Sequence, residues 1–135
     1  LKVRKINSKI KAIGSIIIGQ TVEDGQYHHN TEKIVSGTIT LPKGHKYILK
    51  TQAEIYNSTT GGWCELAFGD DNVDYQWGTR VTVLNEVIKC LHISPTAYVD
   101  TTNDNTDRTV TLTRIMSNNG TAYWAFLPFV AIQLS

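Results

Sequence analysis

What this 135-residue sequence lacks narrows it first. No apolar run approaches the ~20 residues that a membrane-spanning helix needs. The densest candidate, Ile16-Ile17-Ile18, ends at Gly19 and Gln20, so no membrane insertion is expected. The basic start is not followed by a long apolar stretch, so no secretory leader is read there. Only two cysteines occur, Cys64 and Cys90. They are too few for a disulfide framework and are spaced for neither a zinc knuckle nor a redox pair. Thiols are expected, with one Cys64–Cys90 bridge as the alternative. Charged residues reach 19% and hydrophobic ones 41%, the balance of a folded globular domain and not of a disordered chain. The sequence opens on Leu1, not Met, so preceding residues are expected.

Signatures of catalysis are missing too. There is no GxSxG elbow and no phosphate loop of the GxxxxGK[ST] or GxGxxG type. Cys90 and His92 would share a side of an extended strand, as a nucleophile and its base would, but no third group to orient them is evident. Glu65, Asp70, Asp71 and Asp74 could supply a carboxylate pair. So dense a loop cluster faces solvent more often than it catalyses. An enzyme is therefore not expected. No nucleic-acid motif appears, and the charge is divided along the chain. Lys2, Arg4, Lys5, Lys9 and Lys11 fall within residues 1–11 with no acid among them, whereas the remainder holds eight basic and twelve acidic residues. We read residues 1–11 as a solvated basic lead-in arm and 12–135 as one domain. Contact of the arm with an anionic surface is the alternative. A nucleic-acid partner is not expected.

What is present is period two. In 45–57 Tyr47, Leu49, Ala53 and Ile55 alternate with Lys46, Lys50, Gln52 and Glu54, an amphipathic strand with one face in a core. In 33–41 Val35, Ile39 and Leu41 face away from Ser36, Thr38 and Thr40, and in 108–116 Val110, Leu112 and Met116 alternate with threonines. Further strands are expected at 12–18, 63–68, 80–93 (bent or split near Asn85-Glu86), 96–100 and 122–134, and no window has helical spacing with caps. Leu41-Pro42-Lys43-Gly44, Thr59-Thr60-Gly61-Gly62 and Asn118-Asn119-Gly120 carry turn chemistry, while 70–78 and 100–107 read as polar loops. Seven or eight such strands predict an all-β fold, a two-sheet antiparallel sandwich of jelly-roll type. The last strand is apolar on both faces: Tyr123, Leu127 and Phe129 on one, Trp124, Phe126, Val130, Ile132 and Leu134 on the other. One face must be core and the other covered, most simply by a second copy.

Two loops offer ligand chemistry. Trp63 after Gly61-Gly62, and Tyr75 and Trp77 among Asp70, Asn72, Asp74 and Gln76, combine aromatic faces with planar polar groups. A saccharide needs that combination. The competing reading is that Trp63 and Trp77 cap the core. Asp70-Asp71-Asn72 with Asp74, and Asn103, Asn105 and Asp107, present hard oxygen donors of the kind Ca²⁺ takes, but the glycine and closing glutamate of an EF-hand are absent. No cofactor and no metal are expected, calcium being the exception kept open. His28-His29 lacks a third ligand nearby.

The stretch 35–49, Val-Ser-Gly-Thr-Ile-Thr-Leu-Pro-Lys-Gly-His-Lys-Tyr-Ile-Leu, resembles the opening "strand, Leu-Pro-x-Gly, x-x-Tyr, strand" of trimeric jelly rolls. These are the complement-globular-head and tumour-necrosis-factor-like domains that end many bacteriophage tail fibres and receptor-binding proteins. The apolar run 125–134 fits the last strand of that superfamily, which lies near the threefold axis. The resemblance implies a homotrimer in a virion (tail or baseplate) or an extracellular surface fibre that attaches to a cell-surface saccharide. It would place Tyr123, Leu127 and Phe129 at the trimer interface and Trp63, Asp70, Asn72, Asp74, Tyr75 and Trp77 at the ligand. The alternative role is purely structural, a trimerisation domain of a virion, baseplate or fibre tip.

Overall fold

The computed structural model describes residues 13–29, 33–57, 63–70, 73–82, 90–116 and 120–135; at 28–29, 57 and 73–82 the description is of the backbone alone. Among the described residues there are thirteen strands and no helix: β1 Ile16–Ile18, β2 Gln20–Thr21, β3 Gly25–His29, β4 Ile34–Leu41, β5 Lys46–Lys50, β6 Ala53–Asn57, β7 Trp63–Asp70, β8 Val73–Thr82, β9 Cys90–Ile93, β10 Thr96–Asp100, β11 Arg108–Met116, β12 Gly120–Phe126 and β13 Val130–Gln133. They pair as β2-β4-β11-β7-β8, as β1-β13-β5-β10 and as β3-β12-β6-β9.

The two four-stranded sheets are halves of one layer. Only Thr51 and Gln52 separate β5 from β6, Ser94 and Pro95 separate β9 from β10, and residues 127–129 separate β12 from β13. Three neighbouring strands thus break at one level. Two of the breaks contain Pro95 or Pro128, which cannot donate to a ladder. The crease is held by hydrogen bonds that cross it, from the Leu127 N–H to the Gln52 carbonyl (2.8 Å) and from the Thr51 hydroxyl to the Leu127 carbonyl (3.2 Å). Joined across the crease, with β1 and β3 taken as one edge run and the two-residue β2 set aside as an extra edge of the five-stranded sheet, eight runs of chain remain among the described residues. The second, seventh, fourth and fifth form one sheet, and the first, eighth, third and sixth form the other, which is the jelly-roll order.

One core lies between the layers. The five-stranded sheet contributes Ile39, Leu41, Cys64, Leu66, Phe68, Val110, Leu112 and Met116, all buried, and the creased layer answers with Tyr47, Leu49, Ala53, Ile55, Ile93, Val99 and Trp124. The residues expected to face inward in 33–41, 45–57 and 108–116 do so, with the exception of Val35, which is exposed. At Gly19 the chain crosses from β1 to β2 and passes so near β4 that a Cβ there would stand 2.7 Å from the Thr38 carbonyl oxygen.

Three expectations are corrected. The single strand read over 45–57 is two, in the two halves of the creased layer, yet its inward alternation runs unbroken through the crease. The polar loop read over 70–78 is largely strand β8, an edge strand paired with β7. The last strand is also two, and here the alternation shifts. Ala122 and Trp124 face the core in β12, but Phe129 and Ala131 do so around β13, because the three-residue link moves the pleat by one residue. Phe129 is therefore fully buried and stacked on Phe68 (ring centroids 5.2 Å apart), while Tyr123 and Leu127 remain exposed. The basic arm and the turns expected at 59–62 and 118–119 lie outside the described residues.

Candidate functional site

The motif at 35–49 has a visible physical basis. Gly44 takes a left-handed backbone (φ 89°) that closes the turn after β4. The Tyr47 hydroxyl, four-square inside the sandwich end, donates to the Pro42 carbonyl (2.9 Å), and burial, with the nearby charge of Asp107 adding, pushes its pKa up. Thr101, fully buried after β10, binds the same turn. Its hydroxyl lies 2.9 Å from both the Pro42 and His45 carbonyls and accepts from the His45 N–H (3.1 Å).

This knot shapes the loop that follows. Asp107 Oδ1 accepts from the Lys43 N–H (3.1 Å), and Lys43 Nζ donates to the Asn105 carbonyl (3.1 Å). Arg108 makes a two-pronged pair with Asp104 (2.8 and 2.6 Å), which together with Asp70 and Asp100 raises its pKa. Hydrogen bonds from Thr102 hold the Asp100 carboxyl below the usual range. Because β11 pairs with β7, Val110 stands opposite Asp70, and Asp70 at the end of β7 comes beside the 101–107 loop. Between them opens a polar basin of about 420 Å³ lined by Asp70, Asn103, Asp104, Asn105, Asp107 and Arg108, among others. It offers amide and carboxylate groups in a fixed array. Of the residues read as a calcium pattern, Asn103, Asn105 and Asp107 all line the basin, and one oxygen of Asp107 accepts from the Lys43 N–H.

The predicted ligand residues do not all meet there. Asp70 lies in the basin. Trp63 begins β7 and Asp70 ends it, so the two backbones are separated by the strand's length, roughly 23 Å at ~3.3 Å per residue. Asp74, Tyr75 and Trp77 belong to β8, where Trp77 holds the register position opposite Phe68. Asn72 is outside the described residues. Asn103, Asn105 and Arg108 were not among the ligand residues predicted from the sequence. The polar run 100–107 hinted at them, but nothing local links that run to Asp70.

The outer face of the creased layer is the second notable surface. Cross-strand pairing aligns Ile16, Ile132, Ile48 and Tyr98 in one row over four strands, with Ile18 and Val130 beside it. Ile16, Ile18 and Tyr98 are 62%, 71% and 51% exposed. Leu127 lines a groove of about 380 Å³ at the crease, and Tyr123 pairs with Tyr56, which is also exposed.

No model of a known protein family matches this sequence, and no curated protein matches it. Among solved structures the fold is similar to chains of infectious bursal disease virus. The Gt strain gives a TM-score of 0.59 at 9% identity over 90% of this chain, and the crystal structure of the viral particle gives 0.60 at 9% over 89%. This chain spans about a third of those viral proteins, 33% and 31%. It is also similar to an arabinose-bound α-L-arabinofuranosidase, with a TM-score of 0.50 at 11% identity over 90% of this chain and 22% of that one. Identities this low establish the fold alone, and one fold serves many functions.

Proposed function

We propose that this chain is a non-catalytic, self-assembling jelly-roll module of a virion or surface fibre, a homotrimer that presents its basin to a cell-surface saccharide. The observation that carries the assembly is the apolar row Ile16–Ile132–Ile48–Tyr98 on the outside of the sandwich. A strand apolar on both faces was expected to need two covers. Phe129 and Ala131 take the core as one, and Val130 and Ile132 turn outward toward the other. A contiguous apolar patch rimmed by Lys46 and Lys50 is the anatomy of a protein–protein interface. The threefold number follows the resemblance at 35–49, and the viral location follows the fold shared with viral-particle proteins. Light scattering tests it: wild type should give a mass near three 15.1 kDa chains, and Ile132→Asp should give one folded chain. A monodisperse wild-type monomer at micromolar concentration refutes the assembly.

The saccharide reading rests on the basin. Asn103, Asn105 and Asp70 supply the planar hydrogen-bonding groups that sugar hydroxyls need, held on a rigid loop. One weak site per chain becomes useful when copies act together. A glycan array probed with the purified protein should give hits that Asn103→Ala and Asp70→Ala each remove without loss of the fold. Hits that survive both substitutions move the ligand elsewhere, and an array without hits leaves the structural trimerisation role.

A further inference from the structure

The outer face of the β3-β12-β6-β9 half carries a constellation that neither the assembly nor the basin uses. Cys90 and His92 stand two residues apart on β9 and so share a face. On the neighbouring strand β6, Glu54 pairs with His92 in register. Its carboxylate Oε1 accepts a hydrogen bond from the Cys90 thiol at 3.2 Å. One ligand atom from each of the three, sulfur, imidazole nitrogen and carboxylate oxygen, lies within 4.8 Å of the other two, and all three residues are exposed. The Gln52 amide nitrogen stands 3.4 Å from His92 Nδ1.

We propose that Glu54, Cys90 and His92 bind one divalent transition-metal ion of the zinc type, with water completing the coordination. Zinc takes sulfur at ~2.3 Å and nitrogen or oxygen at ~2.0–2.1 Å in a tetrahedron, so its ligand atoms lie about 3.3–3.6 Å apart. The sulfur–oxygen separation already has that scale, and the remaining closure of about an ångström is within the rotamer freedom of exposed side chains. A thiolate with a carboxylate balances a double positive charge. The mixed soft and borderline donors select zinc, cobalt or nickel over calcium or magnesium. With the metal on Nε2, His92 Nδ1 carries the proton and needs an acceptor, which Gln52 supplies only by turning its amide so that the oxygen replaces the nitrogen. Binding displaces the thiol proton to solvent and forms a metal–sulfur bond, with no change of oxidation state. The same three groups make a poor nucleophilic site. They lie on an open sheet face, and the hydrogen bond to Glu54 raises the Cys90 pKa, opposite to what an attacking thiolate needs.

The test uses untagged, reduced, metal-stripped protein titrated with Co²⁺ and then Zn²⁺. One Co²⁺ should bind per chain with a sulfur-to-metal charge-transfer band in the near ultraviolet, and Zn²⁺ should abolish the band. Cys90→Ser should remove it. His92→Ala and Glu54→Gln should each weaken binding at least about tenfold. Because all three residues are exposed, the variants should keep the melting temperature of the metal-free protein. A wild-type chain without the band at millimolar Co²⁺, or a Cys90→Ser chain that retains it, overturns the proposal.

Discussion

Phe129 separates core from interface in one experiment. The residue sits where the eighth run passes the crease, fully buried, with its ring stacked on Phe68 at 5.2 Å and 20°. Its edge also reaches the glycine crossing, 3.1 Å from where a Cβ on Gly19 would stand. Truncation to Ala removes the stack and leaves a hole under a backbone crossing that cannot collapse without moving β1 and β4. Buried Phe→Ala changes cost about 3–5 kcal/mol, and such a stack adds ~0.5–1.5 kcal/mol beyond area. A chain of this size is stable by about 7–20 kcal/mol, so the loss is a large fraction of the whole. Phe129→Ala should lower the melting temperature by about 10–20 °C. It should also shift the urea midpoint with little change in slope. A cycle with Phe68→Ala should show coupling of about 1 kcal/mol. Leu127→Ala, on a side chain 55% exposed, should leave the melting of a dissociated chain almost unchanged. Were Phe129→Ala to keep the melting temperature and only reduce the assembled mass, the ring would face a neighbouring copy and the parity shift at 127–129 would be wrong.

Gly19→Ala should destabilise by about 1–3 kcal/mol, because the new methyl meets the Thr38 carbonyl at 2.7 Å and the Ile39 Cβ at 2.9 Å. Gly25→Ala, whose nearest new neighbour is 3.5 Å away, should be close to neutral by the same denaturation assay. Thr101→Val keeps the shape but strips the hydroxyl that ties the turn to the loop, and should cost about 1–3 kcal/mol by chemical denaturation. The two cysteines should differ in reach: a thiol reagent should modify Cys90 at once in the native protein and Cys64 only after unfolding, and a native count of two or none would contradict their placement.

Some of this was written locally. Strands β4, β10 and β11 and the inward residues of β5 and β6 follow from apolar and β-branched residues at every second position, a rule that needs no distant partner. The turn at Pro42 and Gly44 follows from fixed and positive φ preferences in the same way. Strand β8 carries the same signal, Val73, Tyr75 and Trp77 alternating with Asp74 and Gln76, but the polar Asp70-Asp71-Asn72 before it and Gly78 after Trp77 give the stretch the look of a loop, and pairing with β7 shows it to be a strand. The crease escaped because alternation in 45–57 continues through it, and a break in three strands at one level shows only when they lie side by side. The shift that sends Phe129 inward depends on that crease. Asp70 meets Asn103 and Arg108 only through the register of β7 on β11, and Glu54 meets Cys90 and His92 only through that of β6 on β9. Periodicity in sequence reports which face of a strand is buried. Which strands become neighbours, and hence which polar side chains share a surface, is decided by closing long loops around a common core, where the burial gained outweighs the chain entropy lost.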